Sequence, residues 1–358
     1  MSREALPPPS FYADRIIAGD ENALGREDLI RYLSDECDVW DLIGAADRIR
    51  RHRFGQEVHL CSIVNAKQGG CTEDCGFCSQ SKHFSTHVTP ERFIAPETAV
   101  QASSQAMERG ASALGMVAAI RGLEDDSKAM DLVVAQIKAV RDAGHVEAHG
   151  SLGFVSPSGF ERLRNAGMTE YNHNLESSRR YYEKICSTHT YDQRIETVKA
   201  AKAAGLRTCC GGIIGMGEEI EDRADLALEL RALEVDEVPL NFLVSIEGTK
   251  LAKAEPLAPL EMLRVVAAFR LALPRQNIFL AAGRNQLGHL LPLMFQAGAS
   301  GMMIGDFLTT PNRSVDDDLA MLADLGLKAR HCGAVRPELA TKQKASKKNH
   351  VSLPVLSL

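Results

Sequence analysis

The chain has 358 residues, 45% hydrophobic and 25% charged, with 41 Lys and Arg against 47 Asp and Glu for a formal charge of −6. That composition suits one large globular unit or two small ones, and its mild acidity argues against holding nucleic acid through phosphates. No apolar run approaches the ~18 residues of a membrane span, and the opening MSREALPPPSFYADR lacks the basic-then-apolar build of a signal peptide, so a cytoplasmic protein without membrane attachment is expected.

In chain order, residues 1–50 read as an N-terminal helical extension. Val39, Leu42, Ile43, Ala46 and Ile49 fall on one helical face, ready to pack on the body of the protein. The body is expected over 51–333. Strand-like runs follow at 57–66, 112–119, 146–152, 170–176, 206–215, 237–244, 277–283 and 301–305, with helix-length stretches between them such as 97–109, 128–143, 192–204, 222–233 and 260–273. In AVRDAGHVEAHGSLG (139–153) and AAKAAGLRTCCGGIIG (200–215), Ala-Gly closes a helical stretch and an apolar run follows. Eight strands alternating with helices predict an α/β fold, a (β/α)8 TIM-type barrel. A doubly wound sheet is the alternative, because strand order is not written in a sequence. The polar, basic and aperiodic segment 334–358 predicts a disordered tail.

Nine cysteines, an odd total, fit poorly with a disulfide framework. Cys71, Cys75 and Cys78 crowd into GGCTEDCGFCSQSKHF, directly after the first strand and so on the rim where such barrels keep their active sites. A structural zinc would want four ligands, whereas three thiolates suit a [4Fe-4S] cluster with one iron left open. Zinc completed by a remote His83 or His87 is the alternative. Cys-x3-Cys-x2-Cys, with Phe77 before the third cysteine, resembles the signature of the radical S-adenosylmethionine superfamily. That resemblance implies a cluster that chelates S-adenosylmethionine through its open iron and reductively cleaves it to a 5′-deoxyadenosyl radical.

From about residue 45 to about 327 the chain resembles the biotin synthase family, through NAKQGGCTEDCGFCSQS, YNHNLESS, STHTYDQR, GGIIGMGE, VPLNFLVSIEGTKL, AAGRNQ and GDFLTTPN. In YNHNLE, Asn172, Asn174 and Glu176 are spaced by two and share one face of the fourth strand. Three polar groups on one face of a covered strand are costly unless something satisfies them, either a polar core layer or a ligand. The resemblance implies the ligand: Asn174 and Asn241 position the substrate at the catalytic centre, Asn172, Asn174 and Glu176 contact S-adenosylmethionine, and Arg194 holds its carboxylate. Glu176 stands where many relatives have Asp. His173 should face the helices. Gly211 and Gly212 mark close backbone approach rather than a phosphate cradle, since GGIIGMGE has neither the Walker spacing nor its Lys.

The resemblance also implies an auxiliary [2Fe-2S] cluster, the source of the sulfur inserted into dethiobiotin, held in the family by three cysteines and an arginine. Aligned by local words, Cys209 and Arg284 match the third cysteine and the arginine, while Gly115 and His149 stand at the other two positions. Three readings are open. His149 ligates iron, as imidazole does in Rieske centres; or the cluster is rebuilt from Cys61 and Cys186, with Cys210 beside Cys209; or it is absent and the enzyme does other radical chemistry. A lone buried cysteine is by default a small core hydrophobe, and Cys37 and Cys332 read as structural.

The expected activity is that of a sulfurtransferase-type radical enzyme converting dethiobiotin to biotin, chemistry on unactivated C–H bonds that needs a cofactor-borne radical. The resemblance further implies a flavodoxin- or ferredoxin-type electron donor and a homodimer. A related radical enzyme lacking the auxiliary cluster, and a non-enzymatic iron–sulfur carrier or zinc-binding module, are the alternatives.

Overall fold

Eight parallel strands close into a ring: β1 (Glu57–Lys67), β2 (Ala113–Ala118), β3 (Glu147–Ser151), β4 (Met168–Asn172), β5, β6 (Glu237–Phe242), β7 (Asn277–Leu280) and β8 (Gly301–Met303). They belong to a computed structural model that describes residues 5–330; the expected disordered tail and Cys332 lie outside the described residues. β5 is in two pieces, Arg207–Cys209 and Gly212–Ile214. The ring closes where β8 pairs with β1, His59 opposite Gly301 and Cys61 opposite Met303, and where β7 pairs with β6. Closure excludes the open doubly wound sheet.

The helices begin and end where the sequence supplies the right terminal chemistry. Ser127 and Ser156 cap α5 (Lys128–Ala143) and α6 (Pro157–Ala166), accepting from the N–H groups of Met130 and Gly159. Gly144 and Gly167 close the same helices in the left-handed conformation, so the chain re-enters the sheet at once. The remaining helices are α1 (Pro9–Ile17), α2 (Arg26–Leu33), α3 (Val39–Phe54), α4 (Pro96–Glu108), α7 (Arg179–Ile185), α8 (Tyr191–Ala203), α9 (Ile220–Ala232), α10 (Pro259–Ala272), α11 (Leu293–Gln296) and α12 (Val315–Asp324). Among the described residues no helix is long and apolar enough to cross a membrane.

The N-terminal helices buttress one side of the barrel. Val39, Leu42, Ile43, Ala46 and Ile49 are buried, and α3 packs on α10. Arg270 of α10 is fully buried yet satisfied: it donates to the carbonyls of Gly298, Leu273 and Gln276, and its guanidinium lies 5.0 Å from the ring centre of Phe54.

Along each strand, one set of side chains packs against the helices, including Leu60, Leu114, Leu240, Ile278, Leu280 and Met302, all essentially inaccessible. The alternate set points inward. From β1, β3, β5 and β7 come Cys61, His149, Cys209 and Phe279, which line one cavity, as alternate strands of a barrel contribute to shared interior layers.

Candidate active site

The loop after β1 is held by its own backbone. The N–H of Cys71 donates to the Gln80 carbonyl (3.0 Å), Lys82 N–H to Cys71 O (2.8 Å) and Cys78 N–H to Cys75 O (2.9 Å). Gly76 N–H ties the loop to Ile185 O at the end of α7 (2.8 Å). Burial pushes the Cys78 thiol up to about 11, so stable thiolates here call for a cation. Arg194 supplies one fixed positive charge, its Nη2 being 4.0 Å from Cys75 Sγ. Three thiols in one loop, one of them beside a buried guanidinium, fit a cluster with three protein ligands. Among the described residues neither His83 nor His87 joins a group of three converging ligand atoms, so the loop is not arranged as a zinc site; their Nε2 atoms bond the carbonyls of Thr72 and Thr309.

Asn172, Asn174 and Glu176 do share a face, and all three line the cavity. Asn172 Nδ2 lies 3.1 Å from Cys209 Sγ, and Asn174 Oδ1 accepts from Gly211 N–H at 3.1 Å. Glu176 is buried with φ +69°, a left-handed conformation uncommon outside glycine. Its backbone is pinned on both sides, its N–H to Gly211 O and its carbonyl by Ile213 N–H. Gly212 permits this, because a Cβ there would lie 2.7 Å from Glu176 O; at Gly211 one would lie 2.0 Å from Pro239 O. Burial raises the pKa of Glu176, with Arg194 opposing at 3.7 Å. Arg194 also donates to Asn174 O (2.7 Å) and to Tyr182 Oη. Asn241 is held by Ala282 N–H and Gly212 O. His173 packs outward between Phe154 and Tyr171, and burial holds it neutral.

One cavity of about 330 Å³ joins these residues to the barrel floor. Phe77 and Cys78 line its upper part, Asn172, Asn174 and Asn241 its wall, and Cys61, Gly115, His149, Cys209 and Phe279 its depth. The floor is polar. His149 contacts Glu170 at 3.2 Å and Glu147 at 3.3 Å, and Arg207 binds both carboxylates. Burial opposes the imidazolium of His149, but Glu170, Cys61 and Glu147 outweigh it and hold the group protonated well above its usual range. Burial, then the charges of Glu170 and Glu237, push the Cys209 thiol far up.

Two expectations need correction. Arg284 does not face the cavity: it is fully buried against Asp318 of α12, with a 3.0 Å bond from Nη1 to Oδ1, so its charge is already committed. The inward position on β7 belongs to Phe279. Cys186 is not on the floor either. Its sulfur lies 3.8 Å from that of Cys75 and 3.4 Å from His189 Nδ1, in the upper loop. Cys210 faces the helix-packed core rather than the cavity, and Cys37 is buried among the N-terminal helices. Sequence reading also missed Glu170 and Glu237, whose only signal was their even spacing from Asn172 and Asn241 on strands of known inward phase.

Comparison with known proteins agrees with this geometry. Residues 66–230 match the Radical SAM superfamily and residues 239–328 the Biotin and Thiamin Synthesis associated domain. The biotin synthase of Trichlorobacter lovleyi is 43% identical over 287 residues, 80% of this chain and 86% of its own length. That of Geobacter sulfurreducens is 41% identical over 326 residues, 90% and 98% of the two chains. Among solved structures, methylornithine synthase (TM-score 0.75, 19% identity, 93% of this chain and 99% of that one) and the FeFe-hydrogenase maturase HydG of Carboxydothermus hydrogenoformans (TM-score 0.75, 17% identity, 93% and 82%) share the fold. With the three-thiol loop, the polar face of β4 and identity of this extent along most of its length, the chain belongs to the biotin synthase family of radical S-adenosylmethionine enzymes.

Proposed function

We propose that the chain converts dethiobiotin to biotin, with its substrate held between two iron–sulfur sites in one cavity. The observation that carries this reading is the shared lining: Cys78 above, Asn172, Asn174 and Asn241 alongside, and Cys61, His149 and Cys209 below. Cys71, Cys75 and Cys78 would hold the [4Fe-4S] cluster, and Cys61 and Cys209 the auxiliary cluster, with His149 joining them as a ligand only on giving up a proton and one of its carboxylate contacts; Gly115 offers no ligand atom. Together with S-adenosylmethionine the upper cluster supplies the radical that removes hydrogen from unactivated carbon. The protein's part is placement and dryness. Asn174 and Asn241 orient the substrate, and Arg194 with Glu176 fixes the carboxylate and amino ends of S-adenosylmethionine. Phe77, Phe307 and Leu308, which also line the cavity, exclude water.

Residues 51–333 would form the catalytic unit and 1–50 its buttress. A small flavodoxin- or ferredoxin-type protein would supply electrons, and two copies would associate as a cytoplasmic homodimer.

Anaerobically reconstituted protein, given dethiobiotin, S-adenosylmethionine and a chemical reductant, should form biotin with two 5′-deoxyadenosines per product. Cleavage of S-adenosylmethionine with no biotin formed, together with loss of all iron when Cys71, Cys75 and Cys78 are replaced by Ala, would overturn the reading in favour of a related radical enzyme.

A further inference from the structure

Beneath the cavity, Cys209 sits between two carboxylates. The ligand atoms of Glu170, Cys209 and Glu237 lie within 4.8 Å of one another, and all three residues are buried. They come from β4, β5 and β6, adjacent strands in register: Asn172 opposes Cys209, and Cys209 opposes Glu237. The site is therefore fixed by sheet geometry rather than by a loop.

Each carboxylate has protein partners, but not of equal charge. Glu147 and Glu170 share Arg207 and His149, whereas among the described residues the side-chain partners of Glu237 are His59 and Asn277, neither a permanent cation. Glu237 receives His59 Nδ1 (3.0 Å) and Asn277 Nδ2 (3.0 Å), both through Oε1. A ligand on Oε2 would leave both contacts intact. Buried charge of one sign is costly unless paired or bound to a metal.

We propose that the auxiliary site of this chain takes oxygen as well as sulfur ligands, Glu170 and Glu237 binding iron beside Cys209. This rests on the auxiliary site proposed above and supplies donors that the Gly115 and His149 positions no longer provide as thiols. Ligation by Cys209 releases its thiol proton to solvent, leaving a thiolate–iron bond with no change in oxidation state.

The test uses the full chain with Cys71, Cys75 and Cys78 replaced by Ala, so that only floor iron is counted. It is loaded anaerobically with 57Fe(II) and sulfide, and in a separate sample with Co(II) alone. The parent should keep iron through gel filtration and show a thiolate-to-cobalt charge-transfer band that Cys209→Ser weakens. Glu170→Gln and Glu237→Gln should each weaken iron retention by about tenfold or more and shift the Mössbauer parameters. Glu237→Asp, which keeps a carboxylate, guards against a folding defect and should retain more iron than Glu237→Gln; equal retention counts against ligation. If both Gln variants match the parent in iron, sulfide and spectra, carboxylate ligation is overturned while the auxiliary site stands. A parent that keeps no iron overturns both.

Discussion

The sulfurs of Cys75 and Cys186 lie 3.8 Å apart, with Cys75 donating to Cys186. Cys186 is the more acidic of the two, because it receives that bond and sits beside His189, which in turn contacts Glu73. Its place is next to the upper cluster loop, a different site from Cys61 and Cys209. In the chain lacking Cys71, Cys75 and Cys78, Cys186→Ser should therefore leave floor-bound iron unchanged, whereas Cys209→Ser should lower it severalfold. Iron and sulfide assays on the two variants decide this; equal losses would return Cys186 to the auxiliary ligand set.

Arg284 and Asp318 form an ion pair in which neither side chain is accessible to solvent. Burial raises the Asp318 carboxyl, and Arg284 opposes that shift. Removing Arg284 leaves the buried Asp318 only the longer contact to the partly exposed Arg313 at 3.9 Å, so Arg284→Met should cost about 3 kcal/mol of stability. Arg284→Met combined with Asp318→Leu should recover most of it. Chemical denaturation reads both effects, and floor-bound iron should be the same in the double variant as in the parent. A specific loss of that iron with stability restored would show Arg284 acting as a ligand.

What the sequence disclosed depended on how far each signal reached. The barrel was legible because Ala-Gly closures and eight apolar runs are local, and the cysteine triad because its three thiols lie within one loop. The face of Asn172, Asn174 and Glu176 followed from a period of two. Arg284 was misplaced because matching the word AAGRNQ locates an arginine but not its direction. The inward phase of β7 runs through Asn277, Phe279 and Ala281, and Arg284 falls beyond the end of that strand. Glu170 and Glu237 look like ordinary acids in sequence. Only closure of the ring, with β4, β5 and β6 side by side, brings them to Cys209.

Asn174 holds the wall of the cavity through four bonds of unequal kind. Its carbonyl accepts from Arg194, its Oδ1 accepts from Gly211 N–H and, at 3.5 Å, from Asn172 Nδ2, and its Nδ2 reaches Glu176 at 3.5 Å. Asn174→Ala removes the three side-chain bonds and keeps the first, so Arg194 and the cysteine loop should stay in place. Turnover should fall by about 10²-fold, the scale for a displaced positioning group, with iron and sulfide per chain unchanged. Single-turnover biotin formation beside metal analysis separates the two; parallel loss of iron and activity would make Asn174 a structural residue.

Asp222, in the first turn of α9, links that helix to the start of α7. It accepts from Ser178 Oγ (2.6 Å), Arg180 Nε (3.0 Å) and Glu219 N–H (2.9 Å). Burial alone would raise its pKa, but these donors outweigh burial and hold it below the usual carboxylate range. Because the folded value is depressed, the associated stability is present above the unfolded value of about 3.9 and is lost as pH falls through the folded value. Arg180 is largely exposed, so its ion pair is screened and contributes little; the hydroxyl and amide donors carry the effect. Asp222→Asn should cost about 1–3 kcal/mol near neutral pH. The gap between parent and variant should narrow as pH drops below about 4, since protonated Asp222 then resembles the amide in charge. Denaturation midpoints from pH 3 to 7 measure that gap, and a difference constant across the range would mean that Asp222 is already protonated in the fold.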